Sequence, residues 1–354
     1  MTYERNNILL MEGYVPGEQP LDPATIKLNT NENPYPATPA VNAVLQGISA
    51  PDLRRYPPPT AIAFREAAAR LHGLTAEQVI ATRGGDELLR LVLTTFVAPG
   101  DTIVVTDPTY SLYPVLAQIQ DCRVKSIALE EDWCLPDGVA ATANAAGAVL
   151  TLLVNPHAPS GHLCSYDTIR DIAGALDGLL LVDEAYVDFV DPDLGYSVIN
   201  LVNDLPNVII LRTLSKGYSL AGLRFGYGLG APELVAPMLY KTRDSYNLDY
   251  ISQQVAVAAI LDQDYARTTW ARVRSERNRL ATNLADLGIA VSPSQTNFLL
   301  ARIGPNAKDV YEGLKTAGIL VRHFDAHRLD DKLRITVGTP AENAALVVAL
   351  SRLV

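Results

Sequence analysis

The chain has 354 residues, 48% of them hydrophobic and 19% charged, which is enough for about two domains with a large core and argues against disorder. A formal net charge of -10, with acidic and basic residues interspersed, excludes nucleic acid and anionic membrane surfaces as expected partners. Cys122, Cys134 and Cys164 are an odd set without CxxC spacing. They predict neither a disulfide framework nor a metal site, and they suit a reducing cytoplasm.

The start, "MTYERNNILLMEGYVPG", lacks the apolar core of a signal peptide, and no apolar run reaches membrane-spanning length, so a soluble cytoplasmic protein is expected. "RRYPPPT" is a proline-rich turn. From about residue 60, strands and helices alternate: "AIAFREAAARLHG" as a helix closed by glycine, "QVIAT" as a strand, "DELLRLVLTTFV" as a helix and "DTIVVTDP" as a strand. "GAVLTLLVNP", "GLLLVDEAY", "NVIILRTLS" and "FGYGLG" follow as strands apolar on both faces, suited to the centre of a parallel sheet covered by helices. After residue 250 one long helical stretch leads to "NFLLARI", "DVYEGLKTAG", "ILVRHF", "KLRITVG" and a closing helix, a smaller α+β pattern. The expected fold class is therefore α/β, with a large, mostly parallel sheet domain over residues 46–250. A smaller α+β domain spans residues 251–354, and residues 1–45 form an N-terminal arm that partly joins it.

Ligands of open parallel sheets gather at the carboxyl ends of the strands, so the residues after each apolar run carry the functional signal. In "ATRGGDELL", Gly84, Gly85 and Asp86 open a helix whose free N–H groups suit an anion, although Asp86 and Glu87 equally suit the helix dipole. Tyr110 in "DPTYSLY" can stack on a planar ligand or pack in the core. Asp183 and Glu184 end an aliphatic strand, and a carboxylate there needs a cation or hydrogen-bond donor, whether a ligand or a neighbouring element. Lys216 and Arg224 emerge at the same edge. A desolvated lysine can form an imine with a carbonyl compound, and an arginine can hold a phosphate, whereas a solvated loop lysine is the plain alternative. Those requirements match pyridoxal phosphate. The "GYGLG" glycines do not have GxGxxG spacing and lie within a strand, which argues against a dinucleotide loop.

Taken in order, "YVPGEQP", "KLNTNENPYP", "LRRYP", "RGGDE", "DPTYSLYP", "DEAY", "RTLSKGYSLAGLRFGY" and "LRITVGT" resemble the fold-type-I pyridoxal-phosphate aminotransferases, and among these the histidinol-phosphate aminotransferase family. The resemblance implies that Lys216 is the imine-forming lysine, that Asp183 partners the pyridine nitrogen and that Tyr186 donates to the ring hydroxyl oxygen. Tyr110 is then the stacking aromatic, and Gly85, Asp86, Thr213, Ser215 and Arg224 surround the phosphate. Asn155 is included among the cofactor contacts. Tyr56 is similar to a tyrosine that reaches the phosphate of a neighbouring subunit, implying a homodimer with shared sites. Arg334 matches the arginine that grips the substrate's anionic group, and Arg322, Tyr14 and Asn33 match positions around substrate, Arg322 also being open to an ordinary ion pair. The implied reaction is transfer of an amino group from histidinol phosphate to 2-oxoglutarate. Aromatic or broad-specificity transamination is the alternative, followed by amino-acid-phosphate decarboxylation or cofactor binding without catalysis. "NPHAPSG" departs from the family pattern: Ala158 stands where an asparagine is expected, and alanine cannot hydrogen-bond.

Overall fold

A computed structural model describes residues 2–354. Its strands are β1 (Ile26–Lys27), β2 (Val79–Thr82), β3 (Thr102–Asp107), β4 (Arg123–Ala128), β5 (Ala148–Val154), β6 (Leu179–Asp183), β7 (Val208–Thr213), β8 (Gly226–Gly230), β9 (Ala290–Val291), β10 (Phe298–Arg302), β11 (Ile319–Leu320), β12 (Arg322–His323) and β13 (Lys332–Thr336). Seven of them form one sheet in the order β2-β8-β7-β6-β5-β3-β4. Alternate residues supply two cores. Val104, Val182 and Ile210 face one set of helices, and Ile103, Leu181 and Ile209 face another. Burial on both faces explains why these strands read as continuous apolar runs.

The sheet is parallel except for β8, which runs antiparallel to both neighbours, β7 and β2. The loop 214–225 between β7 and β8 contains only a short 3-10 turn, Ala221–Leu223, and no crossover helix of the kind that parallel neighbours need. The glycine alternation of "GYGLG" has a packing cause: a Cβ on Gly226 would lie 2.7 Å from the backbone carbon of Gly84, and one on Gly228 would lie 2.9 Å from Leu88. The helix Gly84–Phe96 therefore lies directly on bare strand backbone.

The smaller unit joins both ends of the sequence. β1 pairs in parallel with β11, while β12, β13, β10 and β9 form an antiparallel sheet. Leu28, Leu280, Leu299, Leu333 and Leu346 share its core. The single long helix expected after residue 250 is two, Tyr250–Leu261 and Gln263–Asp286, broken at Asp262, whose carboxylate accepts from Tyr265 N at 3.3 Å and caps the second. Val255, Ala256 and Ala259 of the first helix pack into the core of the large sheet. The long helix Gln263–Asp286 spans both cores, with Ala266 packing in that of the large sheet and Leu280 and Leu284 in that of the smaller unit. Among the described residues no helix is long and apolar enough to cross a membrane.

Candidate active site

Because side chains alternate faces along an extended chain, the carboxylates of Asp183, at the end of β6, and Glu184, directly after it, separate. Glu184 turns away and pairs with Arg212 at 2.7 Å, as a structural ion pair. Asp183 points into the cleft at the strand ends, accepting from Tyr113 Oη at 2.8 Å and from Ala185 N at 3.0 Å. Burial raises its carboxyl to about 6, against the lowering effect of those two donors. The salt-bridge reading of this stretch thus falls on Glu184, while Asp183 is held by hydrogen-bond donors and is not in a salt bridge.

Lys216, three residues beyond β7, donates from Nζ to Thr30 O at 2.9 Å. Its amine is lowered to about 8, first by burial, then by the cations Arg334 and Arg224, with Glu32 opposing. A lysine in that setting holds a larger share of free amine at neutral pH, which is what nucleophilic attack on a carbonyl requires. The neighbouring residues of the same N-terminal segment hold two further side chains of the cleft. Asn29 O accepts from Arg334 Nη2 at 3.1 Å, and Asn31 Nδ2 donates to Tyr186 Oη at 3.0 Å.

At the other end of the cleft the helix Gly84–Phe96 opens beside Arg224, which donates to Asp86 Oδ2 at 3.0 Å and to Ser215 Oγ at 3.4 Å. Thr213 Oγ1 in turn donates to Ser215 Oγ at 3.0 Å, and Gly85 supplies the second N–H of the helix start. Arg224 has φ 58°, a left-handed backbone that turns its side chain back over Gly84. An anion at this end would meet first-turn N–H groups, a hydroxyl and a guanidinium together. Tyr56 lies on the surface, 80% exposed, and stacks on Tyr246 with ring centroids 4.4 Å apart.

Opposite, Arg322 and Arg334 are directly paired across β12 and β13. Their guanidinium carbons lie 5.5 and 5.4 Å from the centroid of the Phe324 ring. Two like charges on one aromatic wall make an anion-selective corner. Arg334 Nε is buried there without a hydrogen-bond partner, a donor left for a ligand. Tyr110 meets Tyr113 edge-on at 5.6 Å and Tyr14 at 6.2 Å, so these rings close the side of the cleft.

Two of the expected site residues make contacts within the protein. Asn155 was expected at the cofactor. Its amide instead donates to Tyr196 Oη at 2.7 Å and to Cys164 O at 3.1 Å, and its oxygen accepts from Cys164 N at 2.8 Å. Every good contact of that side chain is internal. Asn33 was expected near substrate, but it donates to Gly217 O at 3.2 Å and accepts from Tyr35 N at 3.1 Å, bracing the loop behind Lys216. Ala158 is buried, and its neighbour His157 bonds Ser160 Oγ at 2.7 Å and Pro108 O at 3.0 Å, so His157 does not take the place of the expected asparagine. Asn31 and Tyr113 were missed. Both lie within motifs already singled out, "KLNTNENPYP" and "DPTYSLYP", but nothing in their spacing distinguishes them from their neighbours.

A family model described as "Aminotransferase class I and II" matches residues 23–350. The histidinol-phosphate aminotransferase 1 of Trichormus variabilis is 46% identical over 98% of both chains. The histidinol-phosphate aminotransferase of Geotalea daltonii is 42% identical over 98% of each. Among solved structures, the histidinol-phosphate aminotransferase of Sinorhizobium meliloti in complex with pyridoxal 5'-phosphate superposes with a TM-score of 0.87 at 28% identity, covering 93% of this chain and 90% of that one. A cleft with a desolvated lysine, a buried carboxylate and an arginine pair, on a chain matched over its length in this way, has one reading: the chain belongs to the class I and II aminotransferases.

Proposed function

We propose that this chain transfers the amino group of histidinol phosphate to 2-oxoglutarate, as a pyridoxal-phosphate enzyme of histidine biosynthesis. The observation that carries the reading is the buried Lys216, its amine lowered by burial with Arg334 and Arg224 nearby. The residues fit the cofactor: the helix start at Gly84 offers unpaired N–H groups beside Arg224 for a phosphate, and Asp183 is a buried carboxylate for a cationic ring nitrogen, while the orphaned Arg334 Nε fits an anionic substrate group. When bound, pyridoxal phosphate supplies an aldehyde for imine formation and a ring that accepts the electron pair released at the substrate Cα.

Asp183, held by Tyr113 and Ala185 N, keeps a proton on the ring nitrogen. Tyr110 would cover the ring, and Tyr186 would donate to its hydroxyl oxygen. Gly85, Asp86, Thr213, Ser215 and Arg224 hold the phosphate. Lys216, with its amine lowered by burial, would supply the free amine that holds the cofactor's aldehyde and would serve as base and then acid for the substrate Cα proton. Arg334 and Arg322 fork onto the substrate's phosphate or carboxylate, and Tyr14 closes over it. Tyr56, exposed in one chain, completes the phosphate site of a second copy, so the working form is a homodimer, and a cytoplasmic one.

The test is a half-reaction screen of loaded protein, following the visible absorbance with histidinol phosphate, phenylalanine, tyrosine, glutamate and phosphothreonine. Histidinol phosphate and glutamate are expected to react fastest. Faster reaction with phenylalanine or tyrosine than with histidinol phosphate moves the reading to an aromatic aminotransferase, and carbon dioxide release from phosphothreonine moves it to a decarboxylase.

A further inference from the structure

Asn31 sits at the junction of three parts of the chain and has an unusual backbone, φ 57°, in the left-handed region that asparagine tolerates better than most residues. It is 1% exposed. Its carboxamide nitrogen donates to Tyr186 Oη at 3.0 Å, its carboxamide oxygen accepts from Thr336 Oγ1 at 3.0 Å, and its own N–H donates to that same hydroxyl oxygen at 3.0 Å.

Proton accounting fixes the orientation of this amide. Thr336 is buried, and among the described residues both partners of its hydroxyl belong to Asn31. The hydroxyl oxygen receives the backbone N–H, so its single hydrogen must go to an acceptor, and only the carboxamide oxygen is in reach. A flipped amide would leave that hydrogen buried and unpaired. The nitrogen therefore faces Tyr186. The tyrosine oxygen thus accepts from Asn31, and its own hydrogen has no acceptor among the described residues.

We propose that Asn31 is a positioning residue that makes Tyr186 an obligate donor toward the cofactor's ring hydroxyl oxygen, and that the arrangement carries added weight here because Ala158 supplies no second donor. The inference rests on the pyridoxal-phosphate reading of the site. Filling one lone pair of the tyrosine oxygen strengthens its O–H as a donor and excludes the rotamer in which it would accept. A donor to the ring oxygen makes that oxygen a weaker base for the proton it shares with the nitrogen contributed by Lys216. The apparent pKa of the bound chromophore is thereby held down. The charged and titratable groups facing Tyr186 are Arg334 from β13, Asp183 from β6, Tyr14 from the N-terminal segment, Tyr110 and Tyr113 from the segment after β3, and Lys216, whose Nζ is 5.9 Å from the ring centroid.

The experiment is a pH titration of the visible absorbance of cofactor-loaded protein for wild type, Tyr186→Phe, Asn31→Gly, Thr336→Val and the double variant Asn31→Gly/Tyr186→Phe. Glycine keeps the left-handed backbone while removing the amide. Tyr186→Phe is expected to raise the pKa by about one to two units, and Asn31→Gly by roughly half of that. Thr336→Val, which frees the amide to rotate, should shift it in the same direction. In the Tyr186→Phe background, Asn31→Gly should add nothing, whereas a merely structural role would shift both backgrounds alike. An unshifted pKa in Tyr186→Phe removes the tyrosine's assigned role and the proposal with it. A shift in Tyr186→Phe without one in Asn31→Gly, or equal effects of Asn31→Gly in both backgrounds, overturns the proposal and leaves the cofactor reading standing.

Discussion

At the scale of single residues, Arg322 and Arg334 share a wall but not their partners, because Arg334 is tied to Asn29 O while Arg322 is directed toward the outer part of the cleft, near Gly17. Arg322→Ala is therefore expected to lower kcat/KM for histidinol phosphate much more than for glutamate, by roughly 1.5–3 kcal/mol of transition-state stabilisation. Steady-state kinetics with both substrates checks this, and equal losses would assign Arg322 to structure. Ala158 leads to a second expectation. Neither Asn155 nor His157 is free to replace the missing asparagine, so Ala158→Asn should add a donor and lower the chromophore pKa by at most about one to two units. An unchanged or higher value in normally loaded protein would show that the new amide is not aimed at the ring oxygen. Asp183 sets a pH dependence of stability. Its folded-state value, about 6, lies above the ordinary 3.8, so ionising it costs the unliganded fold, and stability is lost as pH rises from about 4 to 6. A cationic ring nitrogen opposite removes that cost. The rise in melting temperature caused by pyridoxal phosphate should therefore grow across this window in wild type and be flat in Asp183→Asn.

At the scale of elements, the contact between β8 and the helix Gly84–Phe96 decides where the phosphate-binding helix start lies. Gly226→Ala would place a methyl group 2.8 Å from Gly85 N, and backbone cannot yield as a flexible side chain can. The expected result is loss of roughly 1–3 kcal/mol of stability together with weaker cofactor retention, read by denaturant unfolding and by dialysis against phosphate. Retention unchanged at reduced stability would mean that the helix start moves without consequence for the site. The strands themselves were legible because apolar runs buried on both faces admit few other readings, and Lys216 stood out because a cation directly after such a run is costly unless it is used. The direction of β8 was not legible, since direction is set by the connection and not by the strand. The partners of Asn155 and Asn33 were not legible for a related reason: a family motif marks which residues recur, while which way an amide points depends on partners such as Cys164, Tyr196 and Gly217 that lie outside it.

At the scale of the whole molecule, the large apolar side chains left in water include Tyr3, Leu10, Val15 and Leu21 of the N-terminal segment, and Tyr56 with its stacking partner Tyr246. Such a surface suits a second copy. If Tyr56 serves the partner's phosphate site, Lys216→Ala and Tyr56→Ala are defects of different kinds. The first disables the site of its own subunit and the second disables the site opposite. Mixed heterodimers then contain one site with both defects and one with neither, so unfolding and refolding the two variants together should restore activity toward a quarter of the wild-type level at equal mixing, on the order of statistical pairing. Absence of recovery would place Tyr56 and Lys216 in the same site.

The hook of residues 29–31 onto Arg334, Lys216 and Tyr186 also bears on the order in which the protein is made. The large sheet lies between residues 79 and 230 and can close while synthesis continues, but β1 finds its partner only when β11 has emerged, and Leu28 O receives Thr336 N only after β13. The segment translated among the first must wait unpaired for segments translated among the last. On a ribosome, therefore, the site is the final thing to exist: nascent chains stalled before β13 should resist proteolysis across the sheet while the segment around residues 26–31 stays open to cleavage, and lysine-borne cofactor should be trapped efficiently only on chains that have been released.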